Sequence, residues 1–360
     1  MNTGNSLFSR GGSGTTVAEP APGRSGQGPG RDRSPGSARP KARRNEQLSA
    51  FAQRHGALVA LVLTVAVASL TFETFATGAN LENVALSSAF LAIVALGMTF
   101  VIISGGIDLS VGSVFALGGV LAAWGSQHGF LVALLLPLLV CGGFGLVNGL
   151  LIARTRLAPF IVTLASMLGA RGLMLNITDE GNETYLVAEG SFLGELGRGS
   201  LLGIALPIWI TVALFAVGGL ALRRSRFGQH VYAVGGNEDA ASLMGAPVVR
   251  TKITVYVLSG LLAGLAGALN AGWLTSGITI LGQGMELEAI SAVVIGGTLL
   301  TGGLGFVSGS LVGVLLLKVI QNIINQIGSL EAAYQQVVSG AFLIVVVVVQ
   351  TWLARRRRVM

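Results

Sequence analysis

Apolar residues in this chain neither alternate with polar ones nor keep to one stripe at helical spacing. From Gly56 onward they run on for about twenty positions at a time before a polar or glycine-rich interruption. A helix rises 1.5 Å per residue, so a run of about 20 residues matches a hydrocarbon core roughly 30 Å thick. Runs of this kind fall at about 57–76, 84–103, 111–127, 129–153, 159–176, 201–222, 252–272, 288–301, 305–325 and 334–354. The pattern predicts an all-α, polytopic membrane protein with about ten transmembrane helices.

Composition supports lipid as the solvent: 52% of the 360 residues are hydrophobic and 11% charged, with a mean hydropathy of +0.74, far from a soluble domain. The net charge of +7 does not form a nucleic-acid patch, because the basic residues gather at the termini and in particular loops. Arg154 and Arg156 follow the fourth run, Arg223, Arg224, Arg226, Arg250 and Lys252 bracket the loop after the sixth, and Arg355 to Arg358 follow the last. The stretch 177–200 carries Asp179, Glu180, Glu183, Glu189 and Glu195 against Arg198 alone. An even number of spans with both termini cytosolic puts every basic cluster on the inner side. Residues 1–55, rich in Gly, Ser, Pro and Arg, read as a disordered basic cytosolic tail without a signal peptide. Residues 56–354 then form the membrane domain, and 355–360 a second basic tail. The single cysteine, Cys141, lies in an apolar run and reads as a small buried hydrophobe.

The 53 glycines would weaken soluble helices but let helices approach closely in a bilayer. The segment Gly105 to Gly118 lines up with Gly296 to Gly309 mainly through its glycines, a weak echo of a repeated architecture. Within the first copy, Ser104, Gly105, Gly106, Asp108, Ser110 and Gly112 make a break between two spans with an ionisable group inside it. Irregular backbone at membrane depth needs protein or water to satisfy it. The break either borders the translocation pathway or is a short turn in which Asp108 caps the next helix.

Lys318, Gln321, Asn322, Asn325 and Gln326 recur at steps of three and four, so they share one helix face. That face either lines a polar pathway or forms a polar helix–helix interface. Asn148 can bond across helices, and Arg171 can reach the outer interface. The loop 223–252 is polar, cytosolic by the charge rule, and punctuated by Gly228, Gly235, Gly236 and Gly245. Within it, Asn237 is placed to cap a short helix whose first turn holds Glu238 and Asp239. Such a helix suits the docking of a partner. None of the three histidines belongs to a zinc pair, and the chain has no nucleophile elbow or phosphate-binding Gly-Lys-Ser/Thr loop. No catalytic or metal-binding residue is therefore expected, and ATP hydrolysis would belong to another chain.

Several ordered motifs resemble the permeases of ribose-, xylose- and arabinose-type ABC sugar importers. They are the runs from Leu96 to Ser113, Pro159 to Leu164 with Arg171 and Gly172, Arg226 to Asn237, Glu288 to Gly297, and Gln335 to Gly340. The resemblance implies a type II importer permease in the bacterial inner membrane that pairs with a second permease copy, identical or paralogous. It implies that Phe227 to Gly245 dock a cytosolic ATPase, which alone would hold ATP and Mg, and that a periplasmic or lipoprotein binding protein delivers the sugar. Ser104, Asp108, Ser110, Asn148, Lys318, Gln321, Asn322 and Asn325 are then the pathway candidates, and a pentose is the expected cargo. An ATP-independent channel or secondary transporter is the competing reading, and it leaves the docking loop without a purpose. The long N-terminal tail departs from the family pattern, and so does Thr298 to Thr301, where relatives often carry a more polar stretch.

Overall fold

The structure, a computed structural model, describes residues 40–327, with side chains from residue 56, and beyond them only Val337, Gly340, Ala341, Ile344 and Val348, all helical. The expected tail over 1–39, the last span at 334–354, the 335–340 motif apart from Val337 and Gly340, and the tail 355–360 lie outside the described residues. The described residues from 47 onward form one compact unit.

Helix α1 (Pro40–Thr71) starts well before the first apolar run. Pro40 suits a first helical turn, and residues 41–55 contain no glycine or second proline. Thr77 caps α2 (Gly78–Ile103), its Oγ1 accepting from the Asn80 amide at 3.4 Å. After the break come α3 (Val111–Ser126), α4 (Phe130–Thr155) and α5 (Pro159–Ile177). The polar stretch that follows holds a 3-10 turn, strand β1 (Tyr185–Leu186) and α6 (Phe192–Arg198). Strands β2 (Ser200–Leu201) and β3 (Ile204–Ala205) form a hairpin turned by Leu202 and Gly203, both at positive φ, as a primed hairpin turn requires. Helix α7 (Leu206–Arg224) leads to α8 (Arg226–Gly236), α9 (Glu238–Leu243) and α10 (Val248–Leu274). Strand β4 (Ser276–Gly277) pairs antiparallel with β1, and α11 (Met285–Ile295) and α12 (Val307–Ile327) follow.

Among the described residues, six helices are long and apolar enough to cross a membrane: α2, α4, α5, α7, α10 and α12. The expected spans at 111–127 and 288–301 are shorter helices of 16 and 11 residues. Glycine breaks end them, at 105–106 before α3 and 296–297 after α11, and a hydropathy window passes over both.

Helix α2 is buried on all sides from Ser88 to Ile103, whereas α4, α5 and α7 expose Leu139, Leu168 and Val217 as lipid-facing helices do. Helices α3 and α4 pack on α10 through glycine. A Cβ on Gly118 would lie 2.7 Å from Gly264 Cα, and one on Gly149 2.7 Å from Ile253 Cα. Backbone contact of this kind replaces the hydrophobic drive that lipid removes. Cys141 sits in this seam, its thiol donating to Val114 O at 3.4 Å. Contacts of Gly149 with Ile253 and Gly260 with Cys141 run α4 antiparallel to α10. Arg154 and Arg156 therefore share one end of the bundle with Arg250 and Lys252, and the acidic stretch 177–200 caps the other, where Gly197 presses on Gly272.

Candidate functional site

At the basic end, α8 lies as an amphipathic helix with Gly228, Val231 and Val234 buried on one face. Ser225 caps it, accepting from Gly228 N at 3.1 Å. Phe227 stacks on Phe100 of α2 at 5.9 Å between ring centroids. Tyr232 donates to Gly305 O at 2.7 Å, and burial holds its phenol above the usual pKa against the pull of Arg223, so it remains a donor. Asn237 Oδ1 accepts from Ala240 N at 2.9 Å and caps α9, and Lys252 ties Glu238 to the start of α10 at 2.5 Å. The loop residues named from the sequence thus divide. Phe227 and Gly228 root the platform in the bundle, whereas Gly236, Asn237, Glu238, Asp239 and Gly245 are exposed. Next to them, Leu243 and Met244 are 89% and 81% exposed, an apolar pair at a polar tip that the sequence reading passed over.

The last turn of α8 meets both glycine breaks. Gly235 has no space for a side chain, because a Cβ there would collide with Ile103 O and lie 2.8 Å from Gly303 N, and Gly302 and Gly105 complete the contact. Gly303 N also donates to Ile103 O at 2.9 Å. The two aligned glycine segments, almost 200 residues apart in sequence, therefore converge under one helix end. Thr298, in the second break, keeps its buried Oγ1 without a partner among the described residues.

The first break climbs from Ile103 to α3 through a buried polar network. Asp108 Oδ1 accepts from Ser110 N at 3.0 Å and Ser110 Oγ at 2.6 Å, and Oδ2 accepts from Ser259 Oγ of α10 at 2.8 Å. Asn148 Nδ2 of α4 donates to Ser110 Oγ at 3.1 Å, and Ser166 of α5 donates to Asn148 Oδ1. Asp108, Ser110, Asn148 and Ser259 are all at most 2% exposed. Asp108 does not cap α3: its carboxylate closes a local turn and bonds α10 directly, while α4 and α5 join the network through Ser110 and Asn148. Ser104 bonds back to Val101 O at 2.8 Å.

On α12 the polar face meets polar partners. Lys318 Nζ donates to Glu288 Oε2 of α11 at 3.0 Å and to Gln321 Oε1 at 2.8 Å, and Gln321 donates to Glu288 Oε1 at 2.9 Å. Asn322 and Asn80 exchange hydrogen bonds at 2.8 and 3.1 Å. Gln326 joins Asn322 to Thr74, and Asn325 is exposed near the end of α12. This ladder clamps α12 to α11 and to the start of α2.

Residues 80–347 match the profile of the family described as branched-chain amino acid transport system / permease component. Among curated relatives, the L-arabinose ABC transporter permease protein AraH of Azospirillum brasilense is 39% identical over 91% of this chain and 96% of its own length. The ribose import permease protein RbsC of Escherichia coli is 39% identical over 83% of this chain and 94% of its own. RbsC of Bacillus subtilis is 40% identical over 82% and 92%. No solved structure matches the chain.

Proposed function

The chain belongs to the branched-chain amino acid transport system / permease component family, and on that premise we propose that it is the membrane permease of an ATP-driven importer for a monosaccharide. The family's printed description speaks of amino acids. The relatives that align over nearly their whole length are named for L-arabinose and ribose, and this favours a pentose. The chain is the non-catalytic subunit. A separate ATPase holds ATP and Mg, an extracytoplasmic binding protein delivers the sugar, and a second permease copy completes the conduit. By the positive-inside rule the basic end faces the bacterial cytosol, with both termini there.

The observation that carries this reading is the contact of α8 with both glycine breaks. A cytosolic ATPase that grips the exposed side of α8 and α9 acts on Ile103, Gly105 and Gly303 together. ATP shifts access only as far as it favours one arrangement of these contacts over another. Phe227 and Gly228 transmit, Leu243, Met244, Glu238 and Asp239 meet the ATPase, and the Asp108 network keeps the shape of the break beside the path. A channel or secondary transporter would have no use for such a platform.

The test is uptake of labelled pentose by vesicles that hold the permease with its ATPase and binding protein. Uptake should require ATP, and the ATPase should co-purify with the permease. Uptake indifferent to ATP depletion, or thiol labelling that places residues 235–245 outside the cell, would sink the reading.

A further inference from the structure

Helix α11 has 11 residues, about 16 Å, or half a hydrocarbon core. It runs antiparallel to α12, with Gly296 against Gly309 and Ala292 against Gly313. Its first turn therefore stands about 18 Å above the basic end, near mid-depth. The chain reaches that point from the far end of α10 through the segment 275–284, irregular beyond strand β4, which descends along α3. Gly277 lies against Val120, and Gly282 against Gly112. Thr275, Gly282 and Gly284 take positive φ on the way.

Three polar side chains gather at this level. Arg171 stands about 18 Å along α5 from its basic end and donates to Thr279 O at 2.6 Å. The Glu286 carboxylate lies over Gly112, where a Cβ would collide with it. Arg171 and Glu286 attract each other, yet they do not pair: the ion pairs among the described residues are Lys252–Glu238 and Lys318–Glu288. Gln283 is exposed and makes no hydrogen bond among the described residues, and Ile280 and Leu287 beside it are 72% and 52% exposed. Towards the acidic end, Asn270 is only 9% exposed, and its side chain makes no hydrogen bond among the described residues. It lines a small cavity with Phe115, Ser276 and Leu281.

A charged side chain at mid-bilayer is costly even on the mildest scale, so this face does not meet lipid. The Asp108 and Lys318 clusters, by contrast, bond among themselves. We propose that Arg171, Gln283 and Glu286, at the head of half-helix α11, form a passage site for a polyhydroxylated solute, with Asn270 on its approach. The guanidinium donates, the carboxylate accepts, and the amide does both. Ile280 and Leu287 offer an apolar wall to the C–H faces of a sugar ring. The site rests on the importer reading for its solute, while its access to water stands apart from it.

The experiment uses the full permease–ATPase complex in vesicles with the binding protein. Gln283→Cys should react with a membrane-impermeant methanethiosulfonate at least ten times faster than Val217→Cys on lipid-facing α7. Gln283→Ala and Glu286→Gln should each lower ATP-driven uptake of labelled D-ribose and L-arabinose at least ten-fold, with the ATPase co-purifying as in the parent. Equal reactivity of the two cysteine variants, or uptake within two-fold of the parent in both uptake variants, overturns the site. Fast labelling of Gln283→Cys in a parent complex that takes up neither sugar overturns the sugar assignment and leaves a water-lined site for another solute.

Discussion

The amide of Gly303 donates to the carbonyl of Ile103 at 2.9 Å, and Gly235 lies against both. One helix end, one terminal carbonyl of α2 and one loop amide thus share a junction with no room for a methyl group. Gly235→Ala forces backbone apart, where overpacking typically costs about 1–3 kcal/mol. The expected result is a lower melting temperature in detergent together with at least ten-fold slower ATP-driven uptake. Gly236→Ala, with nothing within 4 Å of its Cβ, should keep the melting temperature of the parent.

Asp108→Ala removes the acceptor for Ser110 N, Ser110 Oγ and Ser259 Oγ. Unsatisfied buried donors cost about 1–3 kcal/mol each, so this variant should lose stability as well as transport. Asp108→Asn keeps one oxygen and should fall between Ala and the parent in thermal stability and uptake. Full stability and full uptake in Asp108→Ala would show that the network is idle.

Lys318→Met strands the Glu288 carboxylate in the membrane; the pair is partly buried, so the loss should fall below the roughly 3–5 kcal/mol of a fully buried pair broken from one side. Adding Glu288→Gln to Lys318→Met should recover most of the lost stability, because the remaining amides can still bond. A double-mutant cycle on melting temperature measures this, and additive losses would deny the pair any coupling.

Leu243→Ser and Met244→Ser change exposed side chains and should leave the melting temperature within about 1 °C, since such surface changes stay within about 0.5 kcal/mol. Together they should cut recovery of co-purified ATPase several-fold. Phe227→Ala removes a ring stacked on Phe100 and should lower stability before it affects docking. Glu238→Ala frees Lys252, an exposed pair worth about 1 kcal/mol or less, so any large loss of ATPase coupling in that variant reports on docking rather than on folding.

The sequence exposed what is local. The break at 104–112 was legible because glycines flank an aspartate inside an apolar run, and the face of α12 was legible from steps of three and four. Partners were not: Asn80 is 242 residues from Asn322, and Glu288 is 30 from Lys318, so interface and pathway looked alike. The shortness of α11 stayed hidden because 296–301 is still apolar enough to extend a hydropathy window. Arg171 read as reaching the outer interface, and only the descent of 275–284 shows what it holds. Leu243 and Met244 went unremarked inside the short capped helix, although two large apolar residues side by side just before Gly245, in an otherwise polar loop, were a usable signal.

Cys141, the chain's only sulfhydryl, is walled in by Val114 on one side and Gly264 on the other. Water-soluble reagents have no route to it. The unaltered protein therefore supplies its own blank for probe chemistry, and any signal from an introduced thiol belongs to the position chosen.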